Sequence, residues 1–393
     1  MVKNSLAKNR NDGIDLLRGI CIIAVILLHC RIHIPFDHSV MPQWLYNIVF
    51  GSGYYGVIIF FVISGFLITS HCLQRWGNFQ NIHAQKFYKM RFARIMPCLL
   101  ALLIISSVLD LSHVNGFIIN VTKLSPALFA ARHFHNTTLP HALFAALTFH
   151  INYLEAKVMH RYLPGNWDVL WSLSVEEAFY LFFPVLCLLC IKPRYFITTM
   201  ILFVLISIFA RTFSHPEMWQ EYSYLGGMGG VAIGCLAALF SHQKKISKKL
   251  FSILLSVGLF LFLLIFVFRH VAFEMDLTKI NMNATILEIG VGLILIAMQE
   301  WYSDQNNRGA FWLKPIRFFG RNSYEIYLTH MFIVLLAARI AFHTTTDIFI
   351  EYAAILILCA ILGHAVSSYF SEPMNIFLRK KNFLKYQKIE SHV

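Results

Sequence analysis

Two ionisable side chains share one face of an apolar segment near the start of the chain. Arg18 and His29 stand eleven positions apart, and the residues between them are apolar or small. At about 100° per residue, a helix would place both side chains on one face, roughly 16 Å apart along its axis. A histidine in this setting can accept a proton near neutral pH, so His29 is a candidate general base. A histidine that only packs helices and bonds to a backbone carbonyl is the alternative.

A second apolar segment, WDVLWSLSVEEAFYLFFP, contains two adjacent glutamates. If this segment crosses the membrane in the opposite direction, Glu176 lies about 12 Å below its outer edge, near the depth of His29. A carboxylate at that depth is expected to orient the imidazole or stabilise its charged form. Glu177 points about 100° away around the helix. The two glutamates cannot both face one partner, so one is expected to be the site residue and the other to pair elsewhere.

A pair of arginines opens a third apolar segment. Arg91 and Arg94, in KFYKMRFARIMP, stand at i and i+3 and therefore share a helix face. Two guanidinium groups side by side suit bidentate phosphate binding, which predicts a site for the phosphates of a nucleotide-bearing donor. An ordinary basic flank of a membrane segment is the alternative reading of the same residues.

Two further motifs place small or polar groups inside apolar segments. Ser64 and Gly65, in GVIIFFVISGFLIT, either permit close helix packing or line a channel. Tyr324, Tyr327 and His330, in GRNSYEIYLTHMF, either line the same cavity as His29 or form a structural polar network.

The elements that must position these residues are membrane helices. The chain has 393 residues, of which 58% are hydrophobic and only 13% are charged, whereas soluble domains carry roughly 25% charged residues. A bilayer core needs about 20 apolar residues per helix. Ten runs meet this need, near 14–34, 54–74, 94–112, 168–191, 195–212, 224–241, 250–269, 283–300, 323–342 and 348–370. A short stretch at 141–154 is predicted to be re-entrant or interfacial, so the expected fold is an all-α polytopic membrane bundle.

The chain has a net charge of +13, and the positions of its basic residues indicate how it is oriented in the membrane. With the N-terminus inside and the runs alternating, most Lys and Arg residues fall in the inner segments, as the positive-inside rule requires. This predicts that both termini are cytoplasmic, with a membrane domain over 1–373 and a basic tail over 374–393. The same distribution argues against nucleic-acid binding. No metal site is expected, because the histidines of 113–167 are irregularly spaced and Cys187 and Cys190 lie in an apolar run.

Taken in order, six blocks of the sequence resemble the acyltransferase-3 family of integral membrane acyltransferases. The blocks are IDLLRGICIIAVILLHC, GYYGVIIFFVISGFLIT, RFARIMP, WSLSVEEAFYLFFP, GRNSYEIYLTH and SYFSEP, and they extend from residue 14 to about residue 373. The resemblance implies an acyl-CoA-dependent enzyme of the surface polysaccharide O-acetyltransferase type. Family motifs match the pair Arg18 and His29, the pair Arg91 and Arg94, Ser64 and Gly65, Glu176, and the block of Tyr324, Tyr327 and His330.

The resemblance also implies the reaction. An acetyl group would pass from cytoplasmic acetyl-CoA to a hydroxyl of a lipid-linked or exported O-antigen-like polysaccharide. The enzyme would lie in the bacterial inner membrane, in contact with its lipids, and would use no metal. His29 would act as general base or carry the acetyl group covalently. One alternative is an acyltransferase that uses another acyl group or a small-molecule acceptor. The other is a glycan transporter that catalyses no reaction. A transporter predicts repeated halves with matching broken helices, which the sequence does not contain.

Overall fold

Membrane-length helices form the frame of the molecule. The computed structural model describes residues 11–36, 41–119, 137–156, 163–190, 192–213, 217–243, 246–276, 282–303, 310–340 and 348–380. Within these ranges there are no strands, and ten segments are long and apolar enough to cross a membrane. They are Asp12–His33, Gln43–Trp76, Ala84–Leu111, Gly165–Leu189, Pro193–Phe213, Tyr224–Gln243, Lys248–Phe266, Met282–Gln299, Ser323–Ile340 and Ile348–Lys380. The predicted all-α membrane bundle of ten spans is confirmed.

The described residues form seventeen α-helices, numbered in chain order. They are α1 (Asp12–His33), α2 (Gln43–Gly51), α3 (Gly53–Trp76), α4 (Ala84–Leu111), α5 (Leu139–Leu147), α6 (Ile151–Ala156), α7 (Gly165–Asp168), α8 (Leu170–Leu189), α9 (Pro193–Phe213), α10 (Glu217–Tyr222), α11 (Tyr224–Gln243), α12 (Lys248–Phe266), α13 (Arg269–Glu274), α14 (Met282–Ser303), α15 (Lys314–Arg321), α16 (Ser323–Ile340) and α17 (Ile348–Val366). A π-helical turn, Ser367–Ser371, continues α17 into a further helical stretch that ends at 380.

Several helix ends differ from the predicted spans. Helix α4 begins at Ala84, so the basic segment before the third apolar run is helical and carries its arginines on a regular surface. The stretch 141–154 forms the two helices α5 and α6, because Phe149 between them adopts a left-handed φ of 56°. The last span continues past the predicted domain boundary at 373, whereas residues 381–393 of the predicted tail lie outside the described part of the chain. That domain division and the re-entrant position of 141–154 stay predictions.

Helices α3 and α11 cross with their backbones in contact. A Cβ added to Gly65 would meet the carbonyl of Val231, and one added to Gly234 would meet the carbonyl of Val62. Small residues at such a crossing are the usual means by which membrane helices pack tightly. The structure therefore gives Gly65 the first of its two predicted roles, close helix packing.

The N-terminal end of α1 is held by α15. Asp12 pairs with Arg317 at 2.9 Å and with Arg321 at 3.2 Å, and Asp15 pairs with Arg321 at 3.3 Å. These ion pairs fix the register of α1 one turn before Arg18. The face that carries Arg18 and His29 is therefore oriented by charges on a neighbouring helix.

One ion pair is buried deep inside the bundle. Arg211 on α9 and Glu288 on α14 are 3% and 1% exposed, and their side chains are 2.6 Å apart. Helix α11 leaves room for them, because a Cβ on Gly230 would lie only 2.9 Å from the Glu288 carboxylate. Thr285 contributes a further contact to Arg211 at 3.5 Å. This cluster ties α9 to α14 and was not predicted from the sequence.

Candidate active site

Three histidine rings meet inside the bundle. His29 and His33 stand one turn apart on α1 with ring centroids 6.3 Å apart, and His330 on α16 brings its centroid within 5.2 Å of His29. These three residues are termed the histidine centre. Within the described residues, no set of three His, Cys, Asp or Glu side chains is arranged to hold a metal ion. The structure thus brings His330 next to the candidate base.

Two ring nitrogens of the histidine centre lack partners. Nδ1 of His330 lies 2.8 Å from the carbonyl oxygen of Tyr327 and 3.2 Å from that of Ile326, so an Nδ1–H donates there. This tautomer, assigned from the hydrogen bonds, leaves Nε2 of His330 as an acceptor. Nε2 of His330 and Nδ1 of His29 are both buried without a hydrogen-bond partner among the described residues. The two atoms are not hydrogen-bonded to each other in this structure, but a His29 protonated on Nδ1 would carry the donor that Nε2 of His330 lacks and would keep its own Nε2 as a base.

Tyr327 joins α16 to α8 beside the histidine centre. Its hydroxyl lies 3.0 Å from the carbonyl oxygen of Val169 and 2.7 Å from Oγ of Ser172. A carbonyl only accepts, so Tyr327 donates to Val169 and accepts from Ser172. The Tyr327 ring centroid is 5.8 Å from that of His330. Ser172 therefore lies level with the histidine centre, although the sequence analysis did not single it out.

Glu176 lies in a separate group of side chains. The Tyr180 hydroxyl donates to its Oε2 over 3.3 Å and is also hydrogen-bonded to Oγ of Ser64. The Arg91 guanidinium sits over the Tyr180 ring, 4.3 Å from its centroid. Glu176, Tyr180, Ser64 and Arg91 are termed the Glu176 group. Among the described contacts, Glu176 has none with His29, so the structure does not show the expected pairing of this carboxylate with the imidazole.

The geometry of α8 explains this difference. Ser172, Glu176 and Tyr180 are spaced by four residues, which places them on one face at steps of about 6 Å. The depth estimate for Glu176 put the outer edge of the span at residue 168, whereas the helical segment already begins at Gly165 with α7. Three extra residues move Glu176 about 4.5 Å deeper, toward Arg91. The regular spacing was visible in the sequence and would have identified Ser172 and Tyr180.

The predicted arginine pair is divided between two environments. Arg94 forms an ion pair of 3.0 Å with the fully buried Glu325, which also accepts a hydrogen bond of 2.7 Å from Ser371. The Arg94 guanidinium lies 5.2 Å from the ring centroid of Tyr324, whose hydroxyl donates to the carbonyl of Ile95 over 2.9 Å. Arg94 and Tyr324 thus belong to a network that ties α4 to α16 and to the last span.

Two arginines from different helices converge on the Glu176 group. Arg91 on α4 stacks on Tyr180, and both Arg91 and Arg18 on α1 attract the Glu176 carboxylate. The predicted site therefore consists of two parts. The histidine centre lies at one end of the Ser172, Glu176 and Tyr180 face, and the arginines lie at the other.

Comparison with known proteins finds a matching family model and several named relatives. A family model described as an acyltransferase domain matches residues 11–370. The O-acetyltransferase OatA of Staphylococcus aureus is 25% identical, over 94% of this chain and 57% of the relative. The peptidoglycan O-acetyltransferase OatA of Listeria monocytogenes is also 25% identical, over 96% of this chain and 57% of the relative. The chain thus spans less than two thirds of the length of these relatives. No solved structure matches it.

Proposed function

Because this chain belongs to the acyltransferase domain family, we propose that it is a membrane O-acetyltransferase that moves an acetyl group from cytoplasmic acetyl-CoA to a hydroxyl of a cell-envelope glycan. The observation that carries the proposal is two buried, unpartnered imidazole nitrogens, Nδ1 of His29 and Nε2 of His330, on rings whose centroids are 5.2 Å apart. This pair can hold an imidazole as a general base inside an apolar bundle. The names of the two relatives support acetyl as the transferred group.

The acceptor we propose is a peptidoglycan-type glycan. The name of the Listeria relative specifies peptidoglycan. This proposal replaces the O-antigen-like polysaccharide that the family resemblance implied, and it keeps a sugar hydroxyl as the nucleophile. A glycan of this kind lies outside the cytoplasmic membrane, so the acceptor and acetyl-CoA approach from opposite sides.

The donor side is proposed to be the arginine end of the site. The positive-inside pattern supports a cytoplasmic position for Arg18 and Arg91, with both chain termini on the same side. Their guanidinium groups would bind the phosphates of CoA through charge-assisted hydrogen bonds. The pantetheine arm would then follow the Ser172, Glu176 and Tyr180 face for about 12 Å to the histidine centre. Arg94 is left out of this role, because Glu325 already pairs with it.

The transfer step requires one base. Nε2 of His29 takes the proton from the acceptor hydroxyl while the oxygen attacks the thioester carbonyl. The carbon–sulfur bond then breaks, and the protonated His29 returns the proton to the CoA sulfur, so the step releases no net proton. In the proposed reaction, Nδ1–H of His29 would turn to donate to Nε2 of His330, and this hydrogen bond, which the structure does not contain, would keep the His29 ring in the reactive tautomer. A covalent acetyl-imidazole on His29 is the alternative use of the same nitrogen.

A reconstituted assay tests the proposed function. The purified chain in lipid nanodiscs would be given acetyl-labelled acetyl-CoA and soluble peptidoglycan glycan strands, and base-labile acetyl ester on the glycan would be measured. We expect ester formation that depends on protein, donor and acceptor together. Folded protein that moves glycan across a vesicle membrane but forms no ester would favour the transporter alternative.

The two arginines of the predicted pair are expected to respond differently to substitution. Loss of a charge-assisted hydrogen bond costs about 1.5–3 kcal/mol. Arg91→Ala should therefore raise the KM for acetyl-CoA roughly 10-fold to 100-fold and leave the melting temperature close to that of the wild type. Arg94→Ala should mainly lower the melting temperature, because it leaves the buried Glu325 without its cation. An unchanged KM in Arg91→Ala would assign Arg91 to the basic flank of the helix.

A further inference from the structure

Two carboxyl groups meet outside the site described above. Glu155 on α6 is 7% exposed, and it is hydrogen-bonded to Asp168 at the end of α7. Burial raises the pKa of Glu155 well above its ordinary value, and the neighbouring Asp168 raises it further. A hydrogen bond between two carboxyl groups needs one proton, and the raised pKa favours Glu155 as the group that holds it and donates it to the Asp168 carboxylate. The pair shares one proton and carries one negative charge.

Asn152 extends this pair along α6. It stands three residues before Glu155 and so shares its helix face, and it is fully buried. Its Nδ2 donates to the carbonyl of Tyr222 over 3.1 Å. Oδ1 of Asn152 and Oε2 of Glu155 are both buried, and neither has a hydrogen-bond partner among the described residues. Asn152, Glu155 and Asp168 are termed the outer polar pocket.

The outer polar pocket adjoins the histidine centre through α7. A Cβ added to Gly165, the first residue of α7, would lie 3.4 Å from Nε2 of His33. At the other end of α7, Asp168 precedes Val169, whose carbonyl accepts from the Tyr327 hydroxyl. A molecule held by Asp168 is thus separated from the histidine centre by a single turn of helix.

We propose that Asn152, Glu155 and Asp168 bind sugar hydroxyls of the acceptor glycan and present a neighbouring hydroxyl to His29. This inference rests on the proposed function. It adds the residues that recognise the acceptor.

The polar atoms of the pocket determine which functional groups a ligand must carry. The free oxygens of Asn152 and Glu155 and the carboxylate of Asp168 are all acceptors, so a ligand must bring several O–H or N–H donors. Buried acceptors without donors are costly, which favours a ligand that satisfies them together. The single negative charge of the carboxyl pair disfavours phosphates and carboxylates at the same place. An uncharged, hydroxyl-rich pyranose meets these requirements.

Substitution of Glu155 tests the pocket directly. Glu155→Gln keeps a donor to Asp168 and a free acceptor oxygen, whereas Glu155→Leu removes both. Calorimetry on the full chain in nanodiscs would measure the Kd for chitotetraose and for peptidoglycan glycan strands. We expect Glu155→Gln to bind within threefold of the wild type and Glu155→Leu to bind at least tenfold more weakly. The matched control is Glu274→Leu, because Glu274 is an exposed carboxylate on α13.

A second variant keeps the test decisive if Glu155→Leu does not fold. Asn152→Leu removes the other free oxygen of the pocket and should also weaken glycan binding at least tenfold, with CoA binding as the check of folding. Wild-type affinity in every folded pocket variant, or no glycan binding by the wild type, would overturn the proposal. If glycan binding depends on Glu155 but no acetyl ester forms, the proposed function fails and the pocket stands. If ester forms with an unchanged acceptor KM in Glu155→Leu, the pocket fails and the proposed function stands.

Discussion

Replacement of His29 by alanine should lower kcat for acetyl transfer by about 10²-fold to 10⁴-fold, the range that a positioned general base contributes. The His29 side chain is the candidate proton acceptor of the site. His330 is not expected to substitute, because its side chain is fully buried, whereas His29 is partly exposed. Binding of CoA should persist, since Arg18 and Arg91 lie at the other end of the site.

The measurement is the initial rate of ester formation in nanodiscs at saturating acetyl-CoA. His270→Ala is the matched control, because His270 is 70% exposed on α13 and should keep the wild-type rate. Recovery of labelled acetyl on the wild-type protein, but not on His29→Ala, would identify the covalent route. A wild-type kcat in folded His29→Ala would remove His29 from the mechanism.

Replacement of Glu288 by alanine should lower the free energy of unfolding by about 3–5 kcal/mol, the cost of breaking one partner of a buried ion pair. The guanidinium of Arg211, which is 3% exposed, would then lose the carboxylate that lies 2.6 Å from it. The variant is expected to give little folded protein at growth temperature, since this loss is a large part of the stability of an ordinary domain.

The double variant Arg211→Met with Glu288→Met separates charge from packing. Replacement of both members of a buried ion pair by apolar residues is often neutral or stabilising, so this variant should unfold close to the wild type in mild detergent. Glu274→Ala is the control for loss of an exposed carboxylate, and it should not move the transition. Equal stability of Glu288→Ala and the wild type would contradict a structural role for the pair.

The sequence by itself was sufficient to predict the membrane bundle and to predict which residues share a face of each helix. The ten spans follow from apolar runs, because a bilayer requires about 20 apolar residues per helix whatever the tertiary packing. The shared face of Arg18 and His29 follows from helical periodicity in the same way. The family resemblance, carried by six blocks in order, was confirmed by the match over residues 11–370.

Only the tertiary structure decided which polar side chains meet. Whether an arginine in a span binds a ligand or a buried carboxylate depends on the facing helix, and this separates Arg91, over Tyr180, from Arg94, paired with Glu325. The relative depth of two helices depends on where each enters the bundle, so His29 meets His330 and Glu176 lies one turn deeper with Tyr180. Helical periodicity determines the angular positions of side chains around one helix. Contacts between helices depend on how the helices pack, and the sequence of a single apolar run does not contain that information.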